Sequence, residues 1–274
     1  MSEQQYLFIL QHLLTYCNKR DTRNGVTYSS FSHRLVFDLQ EGFPLLTTKK
    51  MFLRGIVEEL AWFLRGSTDV QELRDRNVHI WDHNTSKYNY DAGPAYGFQW
   101  RHSGANYVDC KTDYTGQGED QVQKIINLIK TDPHSRRIFM SAWNPSDQKN
   151  MSLPPCHVSY QFYVDNAKLS CQMYQRSSDA FLGLPFNIAS CALLTHLVAR
   201  ETGYTVDKLY ICLGDVHLYE EHDKVALEQI NRTPFIFPTI NIKTEIGKGL
   251  KNLKAEDVTL SNYICHNKLS AELK

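Results

Sequence analysis

Neither sign of charge is in excess: 30 Lys and Arg stand against 30 Asp and Glu, a formal net charge of zero. A general electrostatic grip on a nucleic-acid backbone needs a basic surplus, so no nucleic-acid partner is expected, and any anion must be met by a local site. No apolar run is long enough for a bilayer. The longest candidate, Tyr6 to Leu14, is interrupted by Gln11 and His12 and has no basic segment before it, so neither a membrane span nor a targeting segment is expected. No C-x-x-C pair occurs, and seven cysteines are an odd number. That pattern fits neither a disulfide framework nor a zinc cluster and points to a reducing cytoplasm and no metal. Repeats, low-complexity stretches and Pro/Gly/Ser linkers are also missing, so 1–274 reads as one domain. What is present is 42% hydrophobic and 22% charged residues, enough for an ordinary core.

Apolar spacing predicts helices over Tyr6 to Tyr16, Met51 to Arg65, Val122 to Ile129 and Ile188 to Val198, the last ended by Gly203. Strand-like stretches lie at Ile138 to Trp143, Val158 to Val164, Leu169 to Tyr174, Leu209 to Leu213 and Phe235 to Ile242. Asp165-Asn166-Ala167-Lys168 reads as a hairpin turn. Strands and helices do not alternate regularly, which favours a mixed α+β sheet over a doubly wound parallel one. Trp100 to Gly118 reads as a long polar loop, either variable surface or a lid.

In the second helix, Glu59 shares a face with Phe52, Ile56 and Phe63, whereas Glu58 lies beside Arg54, Trp62 and Arg65. Glu58 is most simply an ion-paired surface residue. Glu59 is either a buried carboxyl with a raised pKa, suited to general acid/base work, or reaches solvent through a slight helix rotation. Cys156 follows Pro154 and Pro155 and precedes a strand, a rigid corner suited to a nucleophilic thiol. His157 and a distant Arg are candidate cations beside it; a packed structural Cys is the other reading. Ser135-Arg136-Arg137 and Gln175-Arg176-Ser177-Ser178-Asp179 each set guanidinium groups beside hydroxyls, as a phosphate site or as a solvated face. Arg23, in the turn-like run Asp21 to Gly25, is a further phosphate candidate. Asn187 falls at or near the N-cap of the fourth helix, where it caps or reads a planar heterocycle with its carboxamide. Asp215, His217 and Tyr219 alternate at a strand end and project to one side, for a sugar hydroxyl or a polar cluster.

Taken together these blocks resemble the thymidylate synthase family over almost the whole chain. The strongest block runs from Ser135-Arg136-Arg137 through Ala142-Trp143-Asn144-Pro145 to Leu153-Pro154-Pro155-Cys156-His157. Glu59 to Leu64, Ile80-Trp81-Asp82, Gly93 to Gly97, Gln175-Arg176-Ser177, Phe181 to Ser190 and Gly214 to Tyr219 follow the same order. The resemblance implies an α+β fold in which a mixed sheet packed by helices forms a sheet-mediated homodimer. It implies a methyltransferase converting deoxyuridylate (dUMP) to thymidylate (dTMP), with 5,10-methylenetetrahydrofolate as carbon and hydride donor. Cys156 would add to C6, and Arg23, Arg176 and Ser177 would hold the phosphate, with Arg136 and Arg137 reaching in from the second subunit. Asn187 would read the uracil ring, His217 and Tyr219 the ribose, and Glu59 with Tyr96 the proton transfers. Ile80, Trp81, Asn84, Asp179, Leu182, Gly183 and Phe186 would line the folate side.

Three departures accompany the resemblance. The family typically ends in a hydrophobic tail with a terminal valine, whereas this sequence ends Asn267 to Lys274, so closure over the folate is in question. Ala92 and Ala95 replace bulkier residues, and the loop near Arg23 is one residue short. A deoxypyrimidylate hydroxymethylase using the same folate, in which water rather than hydride traps the intermediate, is the alternative. A non-catalytic nucleotide- or RNA-binding regulator is the reading from another class.

Overall fold

The structure, a computed structural model, describes Glu3 to Leu273. The chain runs α1 (Gln4–Tyr16), β1 (Lys19–Thr22), β2 (Gly25–Asp38), α2 (Leu53–Arg65), α3 (Gln71–Arg74), α4 (Asp82–Thr85), α5 (Tyr96–His102), α6 (Gln121–Thr131), β3 (Phe139–Ser141), β4 (His157–Asp165) and β5 (Lys168–Asp179). It continues through α7 (Gly183–Thr202), β6 (Thr205–Tyr219), α8 (Asp223–Ile230), β7 (Thr239–Ile242) and β8 (Val258–Ser261). Six strands form one sheet in the order β1-β2-β6-β5-β4-β3. Its neighbours are antiparallel except β5 and β6, which run parallel and are joined by α7 as a crossover helix. The mixed α+β expectation holds.

Two tight turns set the register. Thr22 pairs with Gly25, leaving Arg23-Asn24 as a two-residue hairpin loop. Asn166 and Ala167 both take positive φ, as the right-handed twist of a two-residue hairpin demands. The helix α7 is apolar on nearly every side and buried accordingly, running under the sheet with α2 beside it. It stops at Gly203, whose φ of 79° closes the helix in the left-handed region.

Three expectations need correcting, and one strand adds to them. The fourth helix begins at Gly183, not Ile188, because Pro185 fits a first helical turn as well as a loop, so Asn187 lies inside the helix and caps nothing. The strand expected from Phe235 is confined to Thr239–Ile242, since Pro238 donates no ladder bond. The loop expected from Trp100 loses Trp100 to His102 to α5. The long strand β2 is not announced by its sequence, because its serines break the alternation and Ser32, at φ 67°, turns the strand while the pairing with β6 keeps one register on either side.

Among the described residues no helix is long and apolar enough to cross a membrane. Along β4 the buried Tyr160, Phe162 and Val164 alternate with the exposed Gln161, Tyr163 and Asp165, so one face of the sheet meets the helices. The other face leaves Phe31, Tyr163 and Tyr174 open, at 75%, 66% and 41% exposure.

Candidate active site

Cys156 sits at the corner where Pro154 and Pro155 hand the chain to β4. Two neighbours fix it. Its backbone N–H donates to the Tyr96 hydroxyl at 2.7 Å. The Arg176 guanidinium donates to the carbonyls of Pro155 at 2.9 Å and Pro154 at 2.8 Å, clasping the segment that carries the thiol. The same guanidinium lies over the Trp143 ring at 5.3 Å. Burial pushes the Cys156 thiol up, while the Arg176 charge and the Tyr96 hydroxyl pull it back toward the thiolate. His157 is not the second cation. It is buried, its pKa is depressed to about 3, and its Nδ1 faces the Tyr160 hydroxyl at 2.7 Å, so it packs as a neutral ring against Tyr96.

Glu59 occupies the next recess. Burial raises its pKa to about 7, and the Trp81 indole N–H, donating at 2.7 Å, partly offsets that by favouring the carboxylate. The residue keeps partial access to solvent through the cleft, whereas Glu58 is the more covered of the pair, 8% exposed and 3.5 Å from Arg76. The helix therefore covers Glu58 more than Glu59, the reverse of what periodicity suggests. Phe63 stacks on Tyr96 at 4.7 Å, and Trp81 meets both rings edge-on. This aromatic wall positions Tyr96 between the thiol and the carboxyl.

On the other side of Cys156 opens a polar cavity of about 340 Å³ lined by Arg20, Thr22, Arg23, Asn24, Thr27, Ser29, Arg176, Ser177, Asp215, His217 and Tyr219. The structure therefore brings Arg23, Arg176, Ser177, His217 and Tyr219 together as expected. Arg20, held 3.2 Å from Asp215, and the hydroxyls of β2 were missed, because their approach depends on β2 pairing with β6. His217 Nδ1 lies 3.0 Å from Asp215 Oδ1, which orients the ring along the cavity wall. Arg136 and Arg137 do not line the cavity. They are exposed in the turn before the edge strand β3.

Asn187, in the second turn of α7, has its Oδ1 engaged by the Gln175 side-chain amide at 2.9 Å. Its Nδ2 is thereby the end available to a ligand. Asp179 uses Oδ1 to accept from the backbone N–H groups of Phe181 at 2.9 Å and Leu182 at 3.0 Å, which starts α7. A Cβ added at Gly183 would meet only Asp179 and Asn187, at 3.6 and 3.8 Å, so this first turn presents an open face beside both. Ile80, Leu182 and Phe186 are half-buried against the core and Asn84 is half-buried at α4.

Residues 4–274 match the family model described as thymidylate synthase. The bifunctional dihydrofolate reductase-thymidylate synthase of Paramecium tetraurelia is 49% identical over 99% of this chain and 61% of the relative. Thymidylate synthase of Homo sapiens is 46% identical over 99% of this chain and 90% of that protein. Thymidylate synthase of Herpesvirus ateles is 47% identical over 96% and 94%. The chain spans between about half and three fifths of the bifunctional relatives it matches, 48% for the one from Plasmodium chabaudi. With a full-length match and a cysteine, a carboxyl and an arginine-lined cavity gathered at one cleft, this chain belongs to the thymidylate synthase family.

Proposed function

We propose that the protein is a thymidylate synthase, converting dUMP to dTMP. The observation that carries the reading is Arg176. One guanidinium lines the cavity and also clasps the Pro154-Pro155 corner, so a phosphate bound in that cavity is physically tied to the position of the Cys156 sulfur. The cavity has the size and donors for a nucleotide phosphate and sugar: Arg23, Arg176 and Ser177 for the dianion, His217 and Tyr219 for the ribose hydroxyl.

With the phosphate there, the Cys156 thiolate is placed to add to C6 of the pyrimidine, generating negative charge that spreads over C5 and O4. The Asn187 amide N–H is available to hydrogen-bond a ring carbonyl and stabilise that charge, which favours uracil over cytosine, whose amino group would meet another donor. A carboxyl with pKa about 7 exchanges protons at neutral pH, so Glu59, with Tyr96, serves the protonation of O4 and the removal of the C5 proton. The residues of the remaining wall fit a reduced folate. Ile80, Trp81, Leu182 and Phe186 offer apolar surface to a fused ring, Gly183 leaves room beside it, and Asp179 and Asn84 supply polar groups for its edge. That group supplies both the one-carbon unit and the hydride.

Arg136 and Arg137 are exposed and lie outside the lining of their own chain's cavity, and the open sheet face exposes Phe31, Tyr163 and Tyr174. Both features support a homodimer formed face to face, in which each chain lends this arginine pair to the other's phosphate. Sedimentation should find a dimer, and a fully active monomer would remove both arginines from the site. The lack of a long apolar helix among the described residues and the unpaired cysteines fit a cytoplasmic protein.

The test is incubation with dUMP and methylenetetrahydrofolate, with the nucleotide identified by mass. Thymidylate and equimolar dihydrofolate are expected, and none with Cys156→Ala. Hydroxymethyldeoxyuridylate with tetrahydrofolate would mean that water reaches the intermediate, and no product would sink the reading.

A further inference from the structure

The segment from Ser103 to Gly118, a polar loop by its sequence, is knotted to the turn that presents Tyr96. The knot is the Asp91 carboxylate. Its Oδ1 accepts from the Gly93 backbone N–H at 2.7 Å and from the Tyr107 hydroxyl at 2.5 Å, and its Oδ2 accepts from the Cys110 N–H at 3.1 Å. Tyr107 also lies 2.8 Å from the Thr68 hydroxyl, while its ring meets Phe98 of α5 edge-on at 5.0 Å and stacks with Tyr114. One carboxylate thus joins a loop that contributes no residue to the lining of the polar cavity to the backbone three residues before Tyr96.

The turn held by Asp91 has little room to drift. Gly93 sits at φ 72°, and a Cβ there would lie 2.1 Å from the Asn150 carbonyl. The Ala92 carbonyl accepts the Ser152 N–H at 3.0 Å. The segments 91–96 and 150–156 are therefore stitched at both ends, by Ala92 to Ser152 and by Tyr96 to Cys156. Charged or titratable groups facing the thiol are Arg176 and Asp179 of β5, Tyr96 of α5 and Tyr219 of β6; of these only Tyr96 is reached by the stitch, and its hydroxyl favours the thiolate.

We propose that Asp91, with Tyr107, is a positioning residue for the reaction. The pair sets where the Tyr96 hydroxyl stands against Cys156, so that the Ser103 to Gly118 loop governs the reactivity of the thiol from outside the cleft. This rests on Cys156 being the nucleophile of the proposed reaction. The coupling itself is readable without that reaction.

The experiment is the pH dependence of iodoacetamide alkylation at Cys156, followed by mass of its peptide so that the other six cysteines are scored apart. It is run on the full chain as wild type, Asp91→Asn and Tyr107→Phe. The phenylalanine keeps the ring packing against Phe98 and Tyr114 and removes only the hydroxyl, so it decides alone if Asp91→Asn does not fold. Both variants should move the midpoint to higher pH, lowering the rate about 3-fold on the acid limb well below the midpoint while the alkaline plateau is kept. Lys111→Ala, which cuts the loop's ion pair to Asp69 without touching Asp91, should leave the profile where it is. An unmoved midpoint, or a rate changed equally at every pH including the plateau, overturns the proposal, the second because simple loosening exposes the sulfur without altering its ionisation. Because alkylation needs neither nucleotide nor folate, loss of the synthase reading and loss of this coupling are separate results.

Discussion

At the scale of single residues, Glu59 carries the clearest energetic signature. Its native pKa of about 7 lies above the ordinary carboxyl value of 4.5, so the folded protein holds a proton that the unfolded chain releases. Stability is therefore lost as pH rises from about 4.5 through about 7. Glu59→Gln should accordingly be more stable than wild type at pH 8, by at most ~3 kcal/mol, and indistinguishable at pH 4.5, while turnover collapses. Urea denaturation at the two pH values checks this, and equal stabilities at pH 8 would contradict it. Trp81→Phe removes the N–H that favours the carboxylate, so the limb of the pH–rate profile belonging to Glu59 should move to higher pH. Gln175→Leu frees the Asn187 amide to turn over, and the preference for dUMP over its cytosine analogue should fall ~10-fold in relative kcat/KM. Glu59 and Cys156 were legible in the sequence because helix periodicity and the φ of proline are local properties. Gln175 was visible only as part of a motif, since its partner Asn187 comes within reach through the start of α7 five residues earlier than apolar spacing suggests.

Among the elements, α2 and α5 make the contact on which the site depends. A Cβ at Gly97 would meet the Phe63 carbonyl at 2.9 Å and the Ser67 carbonyl at 3.0 Å, so the two helices touch backbone to backbone there. Gly97→Ala should separate them, costing ~1–3 kcal/mol in denaturant unfolding and lowering kcat through Tyr96, the adjacent residue. An unchanged midpoint of unfolding would show that α5 shifts freely. The helices α1 and α6 were readable because each buries one stripe, α2 because its apolar residues keep helical spacing although it is buried on most sides, and β4 because it alternates from Tyr160 to Asp165. The strands β1 and β2 were not, since Lys19 to Thr22 is wholly exposed and Ser29 to His33 gains its strand character from pairing with β6 rather than from its own side chains. The polar loop after α5 was readable as a loop, but its tie to Asp91 joins residues whose meeting no local pattern announces.

For the whole molecule, acid lability is the sum of opposed titrations. His157 and His196 are buried neutral, with pKa values depressed to about 3 and about 4, so the unfolded chain takes up protons that the native state refuses, and stability is lost as pH falls below 6.5. Glu59 acts in the contrary sense across much of that interval. Between pH 4.5 and 6.5 these three groups leave a net slope of about one proton, roughly 1.4 kcal/mol per pH unit. In Glu59→Gln the slope should approach twice that, which unfolding at three pH values would reveal. The sheet order has a consequence for synthesis. One edge of β2 pairs with β1 in the hairpin, but the other finds its partner only in β6, Thr27 opposite Tyr219, so the hairpin that carries Arg23 leaves the ribosome long before the strand it must zip against. Until some 190 further residues have been made, its polar edge stays unpaired, and folding waits on the slowest class of contact, one between distant parts of the chain. The cavity proposed for the phosphate is thus the last part of the cleft to exist: a nascent chain can assemble α2 and even the Cys156 corner well before β6 completes that cavity's wall.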